Sequence, residues 1–336
     1  MLITLAASVY ECFAGDSRGV ALMSVARWQR APLRFLRVSA WSLCAVGLVV
    51  SVLGASGRFL PHDEAFLGMT AQELCALHGC RIVHFMIHDR VSFGGALVAV
   101  GLLYAWLTDA PLKRGQAWAW WLLLISGGVG FASFFAYLSY GYLDTWHGLA
   151  SLALLPCFSM GLMQSWPTLA AQRTGTLFQP SVRWHWTSPA GIGRALLLLT
   201  ATGIAGGGLT ILSVGMTCVF VPQDLSFMDL SVLELNALNP RLVPLIAHDR
   251  AGFGGAVCCA GVAIFCCVWR AVPSAGQWWM LVAVGVVGFG AGIGAHPAVG
   301  YFDPFHLAPA VLGALAYTAG LALTFRAMTA KPEVWS

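Results

Sequence analysis

Residues 82–108 read IVHFMIHDRVSFGGALVAVGLLYAWLT, an apolar run that carries His, Asp and Arg side by side within it. The hydrocarbon layer of a bilayer is about 30 Å thick, so about 20 apolar residues in a helix suffice to cross it. This run is longer than that, which leaves room for tilt or protrusion. Seven further runs of the same kind lie at 39–59, 117–140, 146–165, 195–220, 241–269, 277–298 and 305–326, of which 241–269 is again long. The runs are continuous rather than alternating, which marks helices and not the strands of a membrane barrel.

Composition agrees. Of 336 residues, 58% are hydrophobic and only 10% charged, with a mean hydropathy of +0.76. A water-soluble domain carries about 25% charged residues, so there are too few charges here to coat a soluble globule. A disordered chain and a nucleic-acid binder resting on a basic patch are excluded on the same ground. The expected class is an all-α integral membrane protein.

Comparing the chain with itself reveals a repeat. Residues 88–96 read HDRVSFGGA and residues 248–256 read HDRAGFGGA, with seven of nine positions identical at an offset of 160. GYLDTWH at 141–147 matches GYFDPFH at 300–306, now at an offset of 159. Upstream, Pro61–Leu77 aligns with Pro222–Leu238, pairing Asp63 with Asp224, Phe66 with Phe227 and Glu73 with Glu234, and Arg81 then pairs with Arg241. The sequence therefore predicts eight transmembrane helices as two tandem, same-orientation four-helix repeats, over 39–165 and 195–326. An even number of crossings returns the chain to its starting side, so the axis relating the halves is expected along the membrane normal. A cytoplasmic amphipathic segment at 1–38, a cytoplasmic linker at 166–194 and a cytoplasmic tail at 327–336 complete the expected organisation.

Basic residues set the orientation. With the amino terminus inside, inner segments hold 13 of the 18 Lys and Arg residues, and the outer side holds 10 of the 14 acidic ones. Both termini are thus expected in the cytoplasm, with the protein integral to the cell membrane (the inner membrane in a bacterium). Met1–Phe13 has no basic residue ahead of it and contains Glu11, so it makes a poor signal peptide. Ala26–Val38 interleaves Arg27, Arg30, Arg34 and Arg37 with apolar residues, which suits either topogenic charges or a helix on an anionic membrane face. Trp118, Trp120, Trp121, Trp278 and Trp279 on the inner side and Trp146 on the outer fit an interfacial belt.

The repeated polar residues are the candidate site. Asn239-Pro240 reads as an N-cap followed by proline at the first helical position. His88 and His248 then fall about 10–12 Å inside the second helix of each half. Asp89, Arg90, Asp249 and Arg250 follow, and such groups are costly in hydrocarbon unless they pair, face the interior or touch water. Gly94, Gly95, Gly254 and Gly255 would let a neighbouring helix approach closely. On the fourth helices, Asp144 with His147 and Asp303 with His306 stand at i, i+3 on the same outer side.

A metal, haem or proton-handling site in each half is one expectation, with His88 and His147 in the first, His248 and His306 in the second, and Asp144 and Asp303 as carboxylate ligands. Imidazole and carboxylate suit a divalent transition metal, and two facing imidazoles could clamp a haem. His84, at i−4 from His88, is a secondary metal candidate. The competing expectation is structural: Asp144 and Asp303 as N-caps, and Asp89 paired with Arg90 or Arg81 in a buried network that also holds Arg241, Asp249 and Arg250. His62, His78 and His84 occur only in the first half and His296 only in the second.

Other signals are secondary. Cys258, Cys259, Cys266 and Cys267 replace ordinary apolar residues and are expected to pack as such. Cys75 and Cys80 could form a disulfide on an oxidising side. Gly206-Gly207-Gly208 is expected either to pack or to kink the fifth helix. Phosphate loops, GxSxG and HExxH are lacking. Three functional classes stay open: a metal- or haem-binding redox or electron-transfer component; a transporter or channel accessory with a polar path between the halves; and a non-catalytic assembly or scaffold protein. The sequence fixes no reaction. The expected partners are the lipid bilayer, with membrane-complex subunits or a second copy of the chain beside it, and no nucleic acid.

Overall fold

The computed structural model describes residues 18–135, 141–142, 145–169, 179–180, 182 and 185–330, with backbone alone over 18–32. Among these residues the chain is all-helical. The α-helices are α1 (Arg18–Ala55), α2 (Pro61–Leu67), α3 (Ala71–His78), α4 (Arg81–Asp109), α5 (Ala117–Phe135), α6 (Thr145–Ser165), α7 (Pro189–Met216), α8 (Pro222–Met228), α9 (Val232–Leu238), α10 (Leu242–Arg270), α11 (Ala275–Val299) and α12 (Pro304–Thr329). Eight of them carry segments long and apolar enough to cross a membrane, the make-up of an integral membrane protein. Apolar side chains left exposed around the bundle, Leu48, Leu152, Leu199 and Val286 among them, suit contact with lipid tails.

The eight segments coincide with the expected ones and differ at their ends. α1 runs unbroken from Arg18, so the basic stretch Ala26–Val38 is continuous with the first span rather than a separate surface helix. Leu33 and Leu36 of that stretch are buried, and Arg37 pairs with Asp109 at 2.5 Å. The fifth span stops at Met216 rather than 220, because Val219 has left-handed backbone (φ 68°) that a helix cannot absorb. The sixth starts at Leu242: Pro240 lies in the preceding turn, and the Asn239 carboxamide oxygen accepts from the Arg241 backbone N–H at 2.9 Å. The cytoplasmic roles given to 1–17, to 170–178, 181 and 183–184 of the linker, and to 331–336 fall on residues outside the described ones.

α4 and α10 form the centre of the bundle. Their spanning windows are 78% and 72% buried, against 22–39% for the other six. α4 lies against α1, α10 and α11, and α10 against α7, α4 and α5; α6 and α12 line α1 and α7 respectively. The third span after each half's start therefore packs on the central helix of the other half.

Glycine makes these approaches possible. A Cβ built on Gly94 would meet Gly47 O at 2.5 Å, and one on Gly254 would meet Leu212 N at 2.2 Å. Across the halves, a Cβ on Gly95 would strike Ala291 Cβ at 2.2 Å, and one on Gly255 would strike Ser133. Gly208 lies against Cys258 N, while Gly206 and Gly207 face open space, and α7 continues through all three. The triplet packs; it does not break the helix.

The short helices α2, α3, α8 and α9 cap one end of the bundle over an apolar cluster that includes Phe85, Met228, Leu245, Tyr142 and Tyr301. Thr70 with Glu73 and Ser231 with Glu234 form capping boxes that start α3 and α9. A disulfide joins Cys75 and Cys80 at the junction of α3 and α4.

Candidate functional site

Neighbouring residues on a helix point about 100° apart. Asp89 and Arg90 therefore cannot serve one partner on their own helix, and the arginines reach across instead. Arg90 Nε donates to Asp249 Oδ2 at 2.8 Å, and Arg250 Nε donates to Asp89 Oδ2 at 3.1 Å. The expected pairing of Asp89 with Arg90 or Arg81 is replaced by this exchange between α4 and α10. Arg81 pairs with Asp229 at 3.3 Å on the exposed surface, and Arg241 donates to the Phe66 carbonyl and lies over its ring.

Each guanidinium has a second carboxylate. Arg90 Nη1 is 2.9 Å from Asp63 Oδ2, and Arg250 Nη1 is 2.6 Å from Asp224 Oδ2. Those two aspartates start the short helices α2 and α8, accepting from the backbone N–H of Leu60 and Val221. Tyr142 donates to Asp63, and Tyr301 donates to Asp224 at 2.9 Å. Burial, followed by the Asp224 carboxylate, raises the Tyr301 hydroxyl well above the ordinary tyrosine range, so it stays a donor. Arg250 Nη1 also donates to the carbonyl of Val219 at 2.7 Å, helping to hold that residue in its costly backbone region.

The histidines sort themselves across the halves as well. His88 on α4 gathers His296 from α11 and His306 from α12, with one ring nitrogen of each within 4.8 Å of the others. Ring centroids stand 4.4 Å apart for His88 and His296, 5.6 Å for His88 and His306, and 5.4 Å for His296 and His306. His248 on α10 meets His147 of α6, with His147 Nδ1 and His248 Nε2 3.0 Å apart and the rings stacked. The fourth-helix histidine of each half thus reaches the second-helix histidine of the other half. The expected groupings, His88 with His147 and His248 with His306, are exchanged because α5 and α11 cross to the opposite central helix and bring α6 and α12 round with them.

The proton positions of the three-histidine cluster follow from its acceptors. His88 Nδ1 is 3.0 Å from the Asp89 carboxylate and His296 Nδ1 is 2.8 Å from the Gly292 carbonyl. Both partners can only accept, so both Nδ1 atoms carry the proton. His306 Nδ1 lies 3.4 Å from a Tyr301 oxygen whose own proton is committed to Asp224. All three rings therefore turn an Nε2 lone pair away from these partners. His296 Nε2 is buried without a hydrogen-bond partner among the described residues. A metal-bound histidine has the same outer contacts, its free N–H held by a carboxylate, a carbonyl or another oxygen.

Asp303 Oδ1 accepts from the His306 backbone N–H at 2.7 Å and so caps α12, with Pro304 at its first position. Asp144 lies outside the described residues. His84 is half-buried one turn before His88, and the position beside His88 that completes the ligand-distance group is filled by His296. His296, Tyr142, Tyr301, Asp63 and Asp224 are the participants that motif reading passed over. Tyr142 and Tyr301 stand in the matched GYLDTWH and GYFDPFH segments, and the two aspartates are an aligned pair, so the repeat held a signal for four of the five. Comparison with protein-family models, curated proteins and solved structures returned no match.

Proposed function

We propose that this chain is a metal-binding integral membrane protein that holds one divalent first-row transition ion through Nε2 of His88, His296 and His306. The observation that carries this reading is the convergence of two buried imidazoles, His88 and His296, and the half-buried His306, whose Nδ1 atoms are all engaged, with His296 Nε2 left as an orphan acceptor among the described residues. Nitrogen-only ligation suits zinc, copper, iron or nickel. Three protein ligands leave a coordination position for water or a substrate, as in catalytic zinc sites. A redox or electron-transfer role follows if the ion is iron or copper. A haem fits less well, since the three rings close on one point where a porphyrin would need room between two axial imidazoles.

The Asp and Arg residues act in this reading as a lock. Both guanidinium groups are divided between two carboxylates, which supports a structural role over a polar transport path. The exchanged ion pairs also support two same-orientation halves about an axis along the membrane normal. The distribution of basic residues supports an extracytoplasmic position for the capped end, and with it the metal.

Elemental analysis of the purified full chain tests the proposal. About one equivalent of a transition metal is expected in the native protein, background levels in His296→Ala, and the native level in His147→Ala. Background metal in the native protein after loading with zinc, copper and iron would overturn it, as would native content in His296→Ala.

A further inference from the structure

α4 and α11 run antiparallel, and three contacts fix their register. The His88 and His296 rings meet at 4.4 Å, a Cβ on Gly95 would strike Ala291, and one on Gly288 would touch Ala99. Ser92 falls between the first two. It lies four residues after His88, about 40° round the helix and about 6 Å along it, on the α4 side of this seam. Counted from the Gly95–Ala291 contact toward the capped end, Ser92 is about 4.5 Å along α4 and His296 about 7.5 Å along α11. The two residues therefore stand at nearly the same depth.

Ser92 is buried, and its hydroxyl has no partner among the described residues. Other buried hydroxyls on the spans donate to the carbonyl one turn earlier, Ser126 to Leu122, Thr108 to Tyr104 and Thr324 to Gly320. Ser92 does not use the His88 carbonyl in this way, so its proton is available to a guest. His296 Nε2 is the second orphan atom at this depth. Both residues also depart from the repeat: Gly252 matches Ser92 in the other half, and His296 has no histidine counterpart. The two departures converge on one seam.

We infer that Ser92 marks the open coordination position of the metal site, where its hydroxyl holds a small anionic ligand, hydroxide or a monoanion of similar size, against the ion. The inference rests on the metal reading and specifies the ligand class of that site. Three neutral imidazoles leave a divalent ion with its double charge, and the carboxylate behind His88, Asp89, is already paired with Arg250 at 3.1 Å. A monoanion offsets part of the remaining charge. It also accepts from the serine O–H, and hydrogen bonds to an ionised partner are the stronger kind. The guest must be small, because the seam closes at Gly95 and Ala291 less than a turn further in. Ser92 is a positioning residue in this arrangement, and the imidazoles bind the ion.

The test is an azide titration of the purified full chain loaded with cobalt(II), whose visible absorption responds to a change of ligand. Cobalt content is measured on the same samples, which separates loss of the metal site from loss of the anion. The native protein is expected to hold about one cobalt and to bind azide saturably. Ser92→Ala should hold the same cobalt and bind azide about tenfold more weakly or worse, the loss of one hydrogen bond to a charged group. Ser92→Gly, which copies the matching position of the other half, should behave alike and takes its place if the alanine variant does not fold. Cobalt uptake by the native chain with no azide response would overturn the inference and leave the metal reading standing. Native azide affinity in the serine variants, or loss of cobalt from both of them, would overturn it in the same way. A native chain that takes up no cobalt would overturn both.

Discussion

His88 and His306 stand 5.6 Å apart between ring centroids, with His296 edge-on against His88 at 4.4 Å. His248 and His147, their equivalents in the repeat, stack at 4.9 Å and share a hydrogen bond of 3.0 Å. The two pairs sit on the same aspartate contact, 3.0 Å from His88 to Asp89 and 3.1 Å from His248 to Asp249. What separates them is one further imidazole on α11. With His296 present, three rings gather with one nitrogen of each within 4.8 Å of the others. In the other cluster one ring satisfies its neighbour directly. The same histidines of the two repeated motifs thus acquire different surroundings, because a neutral imidazole accepts through one nitrogen only while the other donates.

The largest break in this comparison comes from the arginines. The Arg250 side chain is 6% exposed with partners at 3% and 0%, whereas Arg90 is 14% exposed with partners at 10% and 2%. Arg250→Ala removes the cationic partner of two dry carboxylates and is expected to cost about 3–5 kcal/mol. Arg90→Ala should cost less, as read from the two variants' thermal unfolding in the same detergent. Equal losses would mean that the two ion-pair sets are energetically alike despite their burial.

Next in size is the aspartate behind each histidine. Asp89→Asn weakens the partner of His88 Nδ1, and removal of such an outer contact costs about 10–100-fold in metal affinity. Asp249→Asn, the same change beside His248, should leave metal affinity alone. A chelator competition assay on both variants reads the contrast directly.

Smaller again is a packing contrast within one helix. A Cβ on Gly208 would lie 2.2 Å from Cys258 N, against backbone that cannot move aside, while one on Gly207 meets open space. Gly208→Ala should destabilise by about 1–3 kcal/mol and Gly207→Ala by less than about 0.5 kcal/mol.

The smallest effect is a pH dependence in the capping short helices. The Thr70 backbone N–H and hydroxyl hold the Glu73 carboxyl below its ordinary value of 4.5, and Ser231 does the same for Glu234. A lowered carboxylate stabilises the folded state above its unfolded value, and that contribution is lost as pH falls through the folded one. Hydrogen-exchange protection at the Glu73 and Glu234 amides should therefore drop on acidification below pH 4.5 in both boxes. A Glu73→Gln chain should show no such drop at its own box.

Much of this was legible along the chain. The spans could be read because a helix in lipid must satisfy its own backbone and present apolar side chains for the full thickness of the bilayer, so each one leaves a long local signature. The Asp303 cap and the close approaches at Gly94 and Gly254 were legible for a similar reason, since each depends on residues only a few positions apart or on the absence of a side chain. His296 was far less visible. It has no histidine counterpart in the repeat, and nothing near it in sequence shows that α11 will lay it beside a histidine 208 positions upstream.

The sequence by itself determined an all-helical chain with eight membrane-spanning segments and a doubled His-Asp-Arg signature, because hydropathy and helical spacing are properties of consecutive residues. Which histidine meets which, and which arginine neutralises which aspartate, was decided only in the tertiary structure. Those choices depend on the third spans crossing to opposite central helices, and that crossing is set by how glycine-lined surfaces far apart in the chain fit together.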